Sequence, residues 1–528
     1  MERTTENSSY IPRNLICAPA SCTDTSFAVL WDEPEAEGVA GYRVFINGHR
    51  YHEFALREED KRGPLDTVHT DYTMDNLAED TDYEITVCAV METGEVSVPC
   101  GPLKVRTLPK KKVIDITDFG AVGDGITINT NDIQRAIDSC PEGGVVRIPA
   151  GNFVTGAIFL KSDMTLLLDD GAVLFGSSNL EDYPVMEYRF EGKEQKCYAS
   201  LINTKDAEGV RLKNIVIAGK GKIDATGNKL YKPAMDKNEA VRGRTICLRN
   251  VDNVYFHEVT VRNSLSWCIH LIYCNDVSID GVKIYTKCDE NGVKYGIHNG
   301  DGIDPDSCSN VYIYNSTIAS QDDCIALKSG RDEEGRRVGI PTKNVRISNC
   351  CFESGFGVAI GSEMSGGIMD VVVKDCYFEN VYSIGAIKAP RGRGNVIDNI
   401  RYENIRFVNK SLEYKDCRWF RGALYIDQFY SHTEFDINKA EEYGEGTPEI
   451  KNITFKNIDM MTLAGNAIYL AGLPENSLKN IRLENVNAVG KYGMKACNVD
   501  GLVMENVKVT ALEDTNDCIL KNVRIGQR

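Results

Sequence analysis

Three aspartates set the chemical possibilities of this 528-residue chain. Asp301 lies in NGDGIDPDS, and Asp322 and Asp323 stand side by side 21 and 22 residues later, in QDDCIALKSG. Paired carboxyl groups are the tools of glycoside hydrolysis. One, protonated, serves the leaving oxygen, and an ionised partner activates water on the opposite face, at a separation of roughly 6.5–9.5 Å for inversion. Crowding three acids raises the proton affinity of at least one, as a general acid at neutral pH requires. The competing reading is an Asp-rich turn that caps a coil or binds calcium. No Cys or His spacing reads as a metal centre and no Gly-rich phosphate loop precedes a helix, so neither metal nor cofactor is expected.

Residues that far apart meet only if the chain returns on itself at about that interval. Beyond residue 200 a unit recurs, opening on Asn or Asp and continuing as alternating aliphatics: NVYFHEVTVRN from Asn253, then starts at Asp276, Asn310, Asn344, Asp370, Asn399, Asn452 and Asn480. The intervals are 23, 34, 34, 26, 29, 53 and 28 residues, the 53 reading as a skipped or inserted turn. Short strands at such periods imply a solenoid whose coils bury inward aliphatics on one another. The fold class is therefore all-β, a right-handed parallel β-helix over residues 113–528. An amphipathic stretch, Asn131 to Ser139, with Ile133, Ala136 and Ile137 on one face, would cap its first coil and cover an open strand edge.

Residues 11–107 have another texture: short alternating segments between Glu, Gly, Asp and Pro clusters, as in a β-sandwich. Trp31, Tyr42, Leu77, Thr81 and Tyr83 give this unit a resemblance to a fibronectin type III module, which implies a spacer or docking role. LPKKK, residues 108–112, is the linker.

The chain is too long for one ordinary core, which fits two such units. With 77 acidic against 60 basic residues, a net charge of -17, neither nucleic acid nor an anionic membrane is an expected partner. The opening residues lack a secretory pattern, and cysteines recurring in the repeat, as in NVRISNCCF and DVVVKDCYF, suit thiols packed as small hydrophobes. Both features make cytoplasmic residence the expectation, unless a signal was removed. Oligomeric state is not legible.

FGAVGDG at Phe119, VRNSLSWCIH at Val261, DGIDPDS, DDCIALKSG and IGSEMSGG at Ile360 resemble glycoside hydrolase family 28, the polygalacturonases, over essentially all of residues 113–528. The resemblance implies Asp322 as the acid and Asp301 with Asp323 as the water-activating pair. Adjacent strand residues face opposite ways, so Asp322 and Asp323 share a cleft only across a bend. An N-terminal fibronectin-like module is similar to bacterial exo-acting members.

Two departures concern the sugar. Gly355, Phe356 and Gly357 stand where the family has Gly-His-Gly, and Ala386, Ile387 and Lys388 where it has Arg-Ile-Lys. Lys388 is kept. Arg391 and Arg393 are candidates to replace the lost cation, or the GRG turn merely shapes its loop. Phe356 is either a sugar platform or core filling, with the balance towards core. His298 is a candidate for the missing histidine; His270 reads as a hydrogen-bonded wall residue. Arg244, Lys328 and Glu363 are cleft candidates by resemblance, Tyr425 and Tyr430 a candidate subsite wall. The expected activity is inverting, exo-acting hydrolysis of α-linked galacturonic acid in pectic oligosaccharides. The alternatives are a rhamnogalacturonan-derived or otherwise modified pectic substrate, and a silent carbohydrate-binding solenoid. A calcium-dependent lyase fits the acid cluster less well.

Overall fold

The computed structural model describes residues 3–5, 7–55, 69–204, 210–413, 420–431, 436–513 and 516–526. Two compact units divide the chain, Met1–Val113 and Ile114–Arg528. In the first, Arg13–Cys17, Phe27–Asp32 and Asp71–Met74 form one antiparallel sheet, and a second is built around Val39–Ile46 and Asp82–Met91. Their inward residues, among them Trp31, Tyr42, Val44 and Val87, make a sandwich core. Trp31 and Tyr42 meet edge to face at 5.3 Å.

The second unit is a parallel β-helix. Each coil contributes strands to three ladders; Asn275–Asp280, Lys283–Tyr285 and Ile303–Asp306 pair in parallel with Ser309–Tyr314, Thr317–Ala319 and Ile325–Leu327 of the next coil. The Asn or Asp that opens each repeat has a structural cause. Asn253, Asp276, Asn310, Asn344, Asp370, Asn399, Asn452 and Asn480 all adopt left-handed φ values of +53 to +62°. Asn and Asp tolerate that conformation better than other side-chain-bearing residues. Their amides also bond from coil to coil, Asn344 to Asn310 at 2.7 Å and Asn310 to Asp276 at 2.8 Å. Inward residues such as Ile303, Ile325 and Val358 stack at 0% exposure. Cys350 and Cys376 lie in the same core, and every described cysteine is a free thiol.

The 53-residue interval is one enlarged coil. Ile400 pairs directly with Ile453, so the additional chain is inserted at 410–421 and 428–448 rather than forming a skipped turn. The helix Thr130–Ser139 buries Ile133, Ala136 and Ile137 against the strands Gly151–Thr155 and Ile158–Leu160. None of the described helices is long and apolar enough to cross a membrane.

Candidate active site

One ladder carries the site. It runs through the strands Ile269–Ile272, Ile303–Asp306, Ile325–Leu327, Val358–Gly361, Gly385–Lys388 and Gly422–Asp427. Loops inserted into these coils stand over its outer face, enclosing a cleft of about 780 Å3. A hairpin, Val185–Phe190 with Lys193–Tyr198, forms one wall. Its Tyr188, Phe190 and Cys197 bury Cys247, Trp267 and Ile272 of the earlier coils, and its Arg189 is anchored on Asp306 at 2.8 Å. At the hairpin tip Gly192 takes φ +74°, and a Cβ there would lie 2.7 Å from the Arg331 backbone nitrogen, so only glycine lets the tip dock. Arg331 N–H donates to the Gly192 carbonyl at 3.2 Å, and the Arg331 guanidinium lies 3.3 Å from Glu191.

Coil register accounts for the meeting of the acids. Ile303 pairs with Ile325, and Gly302 N–H donates to the Asp323 carbonyl at 3.0 Å, so Asp301 and Asp323 occupy successive coils. A bend at Gln321 and Asp322 interrupts the alternation and turns Asp322 into the same cleft. Ser320 Oγ (2.6 Å) and Phe356 N–H (3.1 Å) both donate to the Asp322 carbonyl and hold that bend. Each of the three carboxyl groups offers an oxygen within 4.8 Å of the others. That is closer than the separation expected for inversion, so spacing by itself does not select the stereochemistry. These oxygens are near enough to share a hard divalent ion. Two ammonium groups already face them: Lys388 Nζ lies 2.7 Å from Asp323, and Lys328 Nζ lies 3.8 Å from Asp301.

Burial and like charge drive the proton affinities upward. Asp322 is pushed up to about 6 by burial and then by Asp323. Asp301 is raised well above the carboxylate range by burial, Asp304 and Asp322. Asp304, on the strand behind Asp301, is raised to about 7, chiefly by burial. Glu363 is the contrast: although burial works against its charge, Lys328 at 3.3 Å and Arg393 hold it down to about 2. The site is therefore supplied with both protonated and ionised carboxyl groups near neutrality.

The other sequence candidates divide. Lys388, Lys328, Glu363, Arg393, Tyr425 and Tyr430 line the cleft, and exposed His298 sits at its rim. Phe356 touches the cleft but is 3% exposed and packs with Tyr382 and Phe420, as core filling would. Its flanking glycines are there for packing, since a Cβ on Gly355 would lie 2.3 Å from the Asp322 carbonyl oxygen.

Two arginines are directed away from the cleft. Arg244 is buried against Phe190 and Tyr188, donates to the Arg189 carbonyl, and bonds His270 Nδ1 at 3.3 Å. It supports the hairpin wall. Arg391 forks onto both Glu475 oxygens at 2.6 and 2.9 Å and lies over Phe429, which leaves Arg393 as the loop's cleft cation. Arg393 itself bonds the Ser362 carbonyl at 2.8 Å and Asp332. His270 is a fully buried wall residue, kept neutral by burial that lowers it to about 3.

Sequence reasoning passed over Asp304, Trp267, Glu191, Arg331 and Arg242. Trp267 stacks on Phe190 at 4.5 Å and carries Lys328 over its ring, also at 4.5 Å. Arg242 grips the loop ahead of Asp301, donating to the His298 carbonyl at 2.6 Å and to Asn299 Oδ1 at 2.7 Å. Asp304 and Trp267 lie inside the quoted motifs; Glu191 sits in a segment with no motif at all.

Comparison with known proteins agrees with this architecture. Residues 145–518 match the family model for glycosyl hydrolases family 28, and residues 10–101 match the fibronectin type III domain. An exo-poly-alpha-D-galacturonosidase of Dickeya chrysanthemi is 29% identical, over 93% of this chain and 94% of its own length. A probable polygalacturonase of Vitis vinifera is 31% identical over 70% of this chain and 73% of its own. The solved family 28 exopolygalacturonase of Yersinia enterocolitica shares the fold, with a TM-score of 0.77 at 23% identity, over 98% of this chain and all of that one. The chain thus belongs to glycosyl hydrolase family 28 and is a glycoside hydrolase that carries an N-terminal fibronectin type III domain.

Proposed function

We propose that this protein hydrolyses galacturonan from a chain end, with inversion at the anomeric carbon. The observation that carries the reading is the convergence of Asp301, Asp322 and Asp323 in one cleft that also holds two buried ammonium groups. Asp322, raised to about 6, gives its proton to the glycosidic oxygen as the bond to the anomeric carbon breaks. A water held by Asp301 and Asp323 attacks from the other side and yields its proton to that pair. Lys388 and Arg393 are cations suited to a uronate carboxylate.

End-directed action draws support from the hairpin. It packs over the earlier coils and its tip meets Arg331, as a wall closing one end of the cleft would. The Dickeya and Yersinia relatives carry exo-acting names, which agrees. A modified pectic substrate is the second reading. It is favoured by Ala386, which stands where the family resemblance expects an arginine and packs with Ala326, Ala359 and Tyr425 in a small buried apolar cluster.

Incubation with galacturonan and rhamnogalacturonan oligosaccharides, followed by proton NMR, tests both readings. A β-configured first product, one residue or a short unit at a time from galacturonan, is expected. A first product retaining α-configuration, or an unsaturated one, would sink the mechanism. Turnover of rhamnogalacturonan fragments alone would replace the substrate.

A further inference from the structure

Asp304 presents a buried problem that the three motif acids do not solve. It faces outward from the ladder between His270 of the preceding coil and Ala326 of the next, yet is 0% exposed. Among the described residues, neither of its carboxyl oxygens, nor Asp301 Oδ1, has a hydrogen-bond partner. The nearest cation, Lys328 Nζ at 3.5 Å, is shared with Asp301 at 3.8 Å and Glu363 at 3.3 Å. Even with Arg393 beside Glu363, one ammonium between Asp301 and Asp304 leaves negative charge that a buried site does not carry unpaired. His270 adds no compensation, because burial keeps it neutral, and Arg189 is committed to Asp306. Asp323 faces the group from the next coil with further negative charge, and Lys388 is taken by Asp323.

Asp301 and Asp304 crowd the same ammonium, Lys328 Nζ, at 3.8 and 3.5 Å, where a hydrogen bond between them would relieve their repulsion. Two ionised carboxylates cannot form that bond, whereas a pair holding one proton can. We infer that Asp304 is a positioning residue that shares a single proton with Asp301, so that the two carboxyl groups together present one negative charge and one hydrogen to the water site. Both carboxyl groups have raised proton affinity, with burial the leading cause for each. The inference rests on the proposed role of Asp301 as part of the water-activating pair. When water attacks, its oxygen bonds the anomeric carbon and its proton passes to Asp301. The two carboxyl groups then hold two protons, one of which leaves to solvent, and solvent returns a proton to Asp322, whose own left on the departing hydroxyl.

Two measurements test this, and the first needs no substrate. In an Asp322→Asn background, difference infrared spectroscopy should show one protonated carboxyl group persisting at neutral pH, and its loss on adding Asp304→Asn. Absence of that band, or its survival in the double variant, would overturn the assignment whatever the enzyme's substrate. In Asp304→Asn alone, the acidic limb of kcat/KM should move up by about one pH unit, because an amide N–H supports the Asp301 carboxylate less strongly than the shared carboxyl O–H does. A limb that stays in place, with activity falling equally at all pH values, would reduce Asp304 to a structural residue. If Asp304→Asn fails to fold, the same infrared band is read in the Asp322→Asn single variant during titration through neutrality. There it should titrate as one proton, and no such titration would refute the sharing.

Discussion

Replacing Lys388 by methionine removes a charge while nearly preserving volume, and it isolates what the buried ammonium does for Asp323. The two groups are 2.7 Å apart and each is less than a tenth exposed. At an effective dielectric of ~20 their attraction is about 6 kcal/mol, against which stands the cost of burying both charges. Asp323 has an escape: without its partner it can take a proton. Relative to an aspartate of the unfolded chain, that costs about 4 kcal/mol at pH 7 and only about 1.5 kcal/mol at pH 5. The destabilisation of Lys388→Met should therefore approach about 4 kcal/mol at pH 7 and shrink by about 1.4 kcal/mol per unit of acidification. Lys388 does not itself titrate in this window. Although burial opposes its charge, Asp323 holds it well above the ordinary lysine range, so its contribution is complete at neutral pH and lost only as alkalinity passes that folded value. Denaturant unfolding at pH 5, 6 and 7, followed by near-ultraviolet circular dichroism, reads the trend. A cost that is independent of pH, or larger at pH 5, would refute the pairing argument. The acidic limb of kcat/KM should also rise, because Asp323 must shed a proton before it can hold the water.

Asp322→Asn should lower kcat by about 10²–10⁴ on galacturonan while the fold persists. Because the Asp322 proton affinity is raised in the fold, its ionisation destabilises the protein as pH climbs from the unfolded aspartate range through about 6, and the variant should gain at most about 3 kcal/mol at pH 8, measured by thermal unfolding. Arg393→Ala should raise KM for uronate substrates about tenfold, whereas Arg391→Ala, which breaks the fork to Glu475, should lower stability and leave KM unchanged; steady-state kinetics of the two variants side by side decides. Gly192→Val should lift the hairpin tip from Arg331 and open the covered end of the cleft, seen as oligomeric products from long chains in place of end-released units.

The repeat, the coil and the acid cluster were legible in sequence because each rests on a local physical demand. A coil corner in left-handed conformation calls for Asn or Asp, and stacking calls for an aliphatic at a constant offset, so Asn310 and Ile325 announce themselves without reference to distant residues. The meeting of Asp301 with Asp322 and Asp323 follows from that period. The bend that lets adjacent acids share one cleft was a requirement of the reading, and the loop at Gln321 supplies it. Whether the 53-residue interval held a skipped or an inserted turn needed the pairing of Ile400 with Ile453. The destinations of the arginines were decided only in three dimensions. Arg391 and Arg393 are two residues apart with the same charge, yet one finds Glu475, 84 residues on, and the other finds Asp332 beside the cleft. Arg244 is drawn beneath a hairpin whose tip meets Arg331, 140 residues after Glu191. Asp304 alternates along its strand as any surface residue would, and becomes a chemical problem only when Asp301, Lys328 and the covering loops exclude water from it. Local conformation and period are written along the chain; which charge pairs with which, and at what depth, depends on groups that only the closed coils bring together.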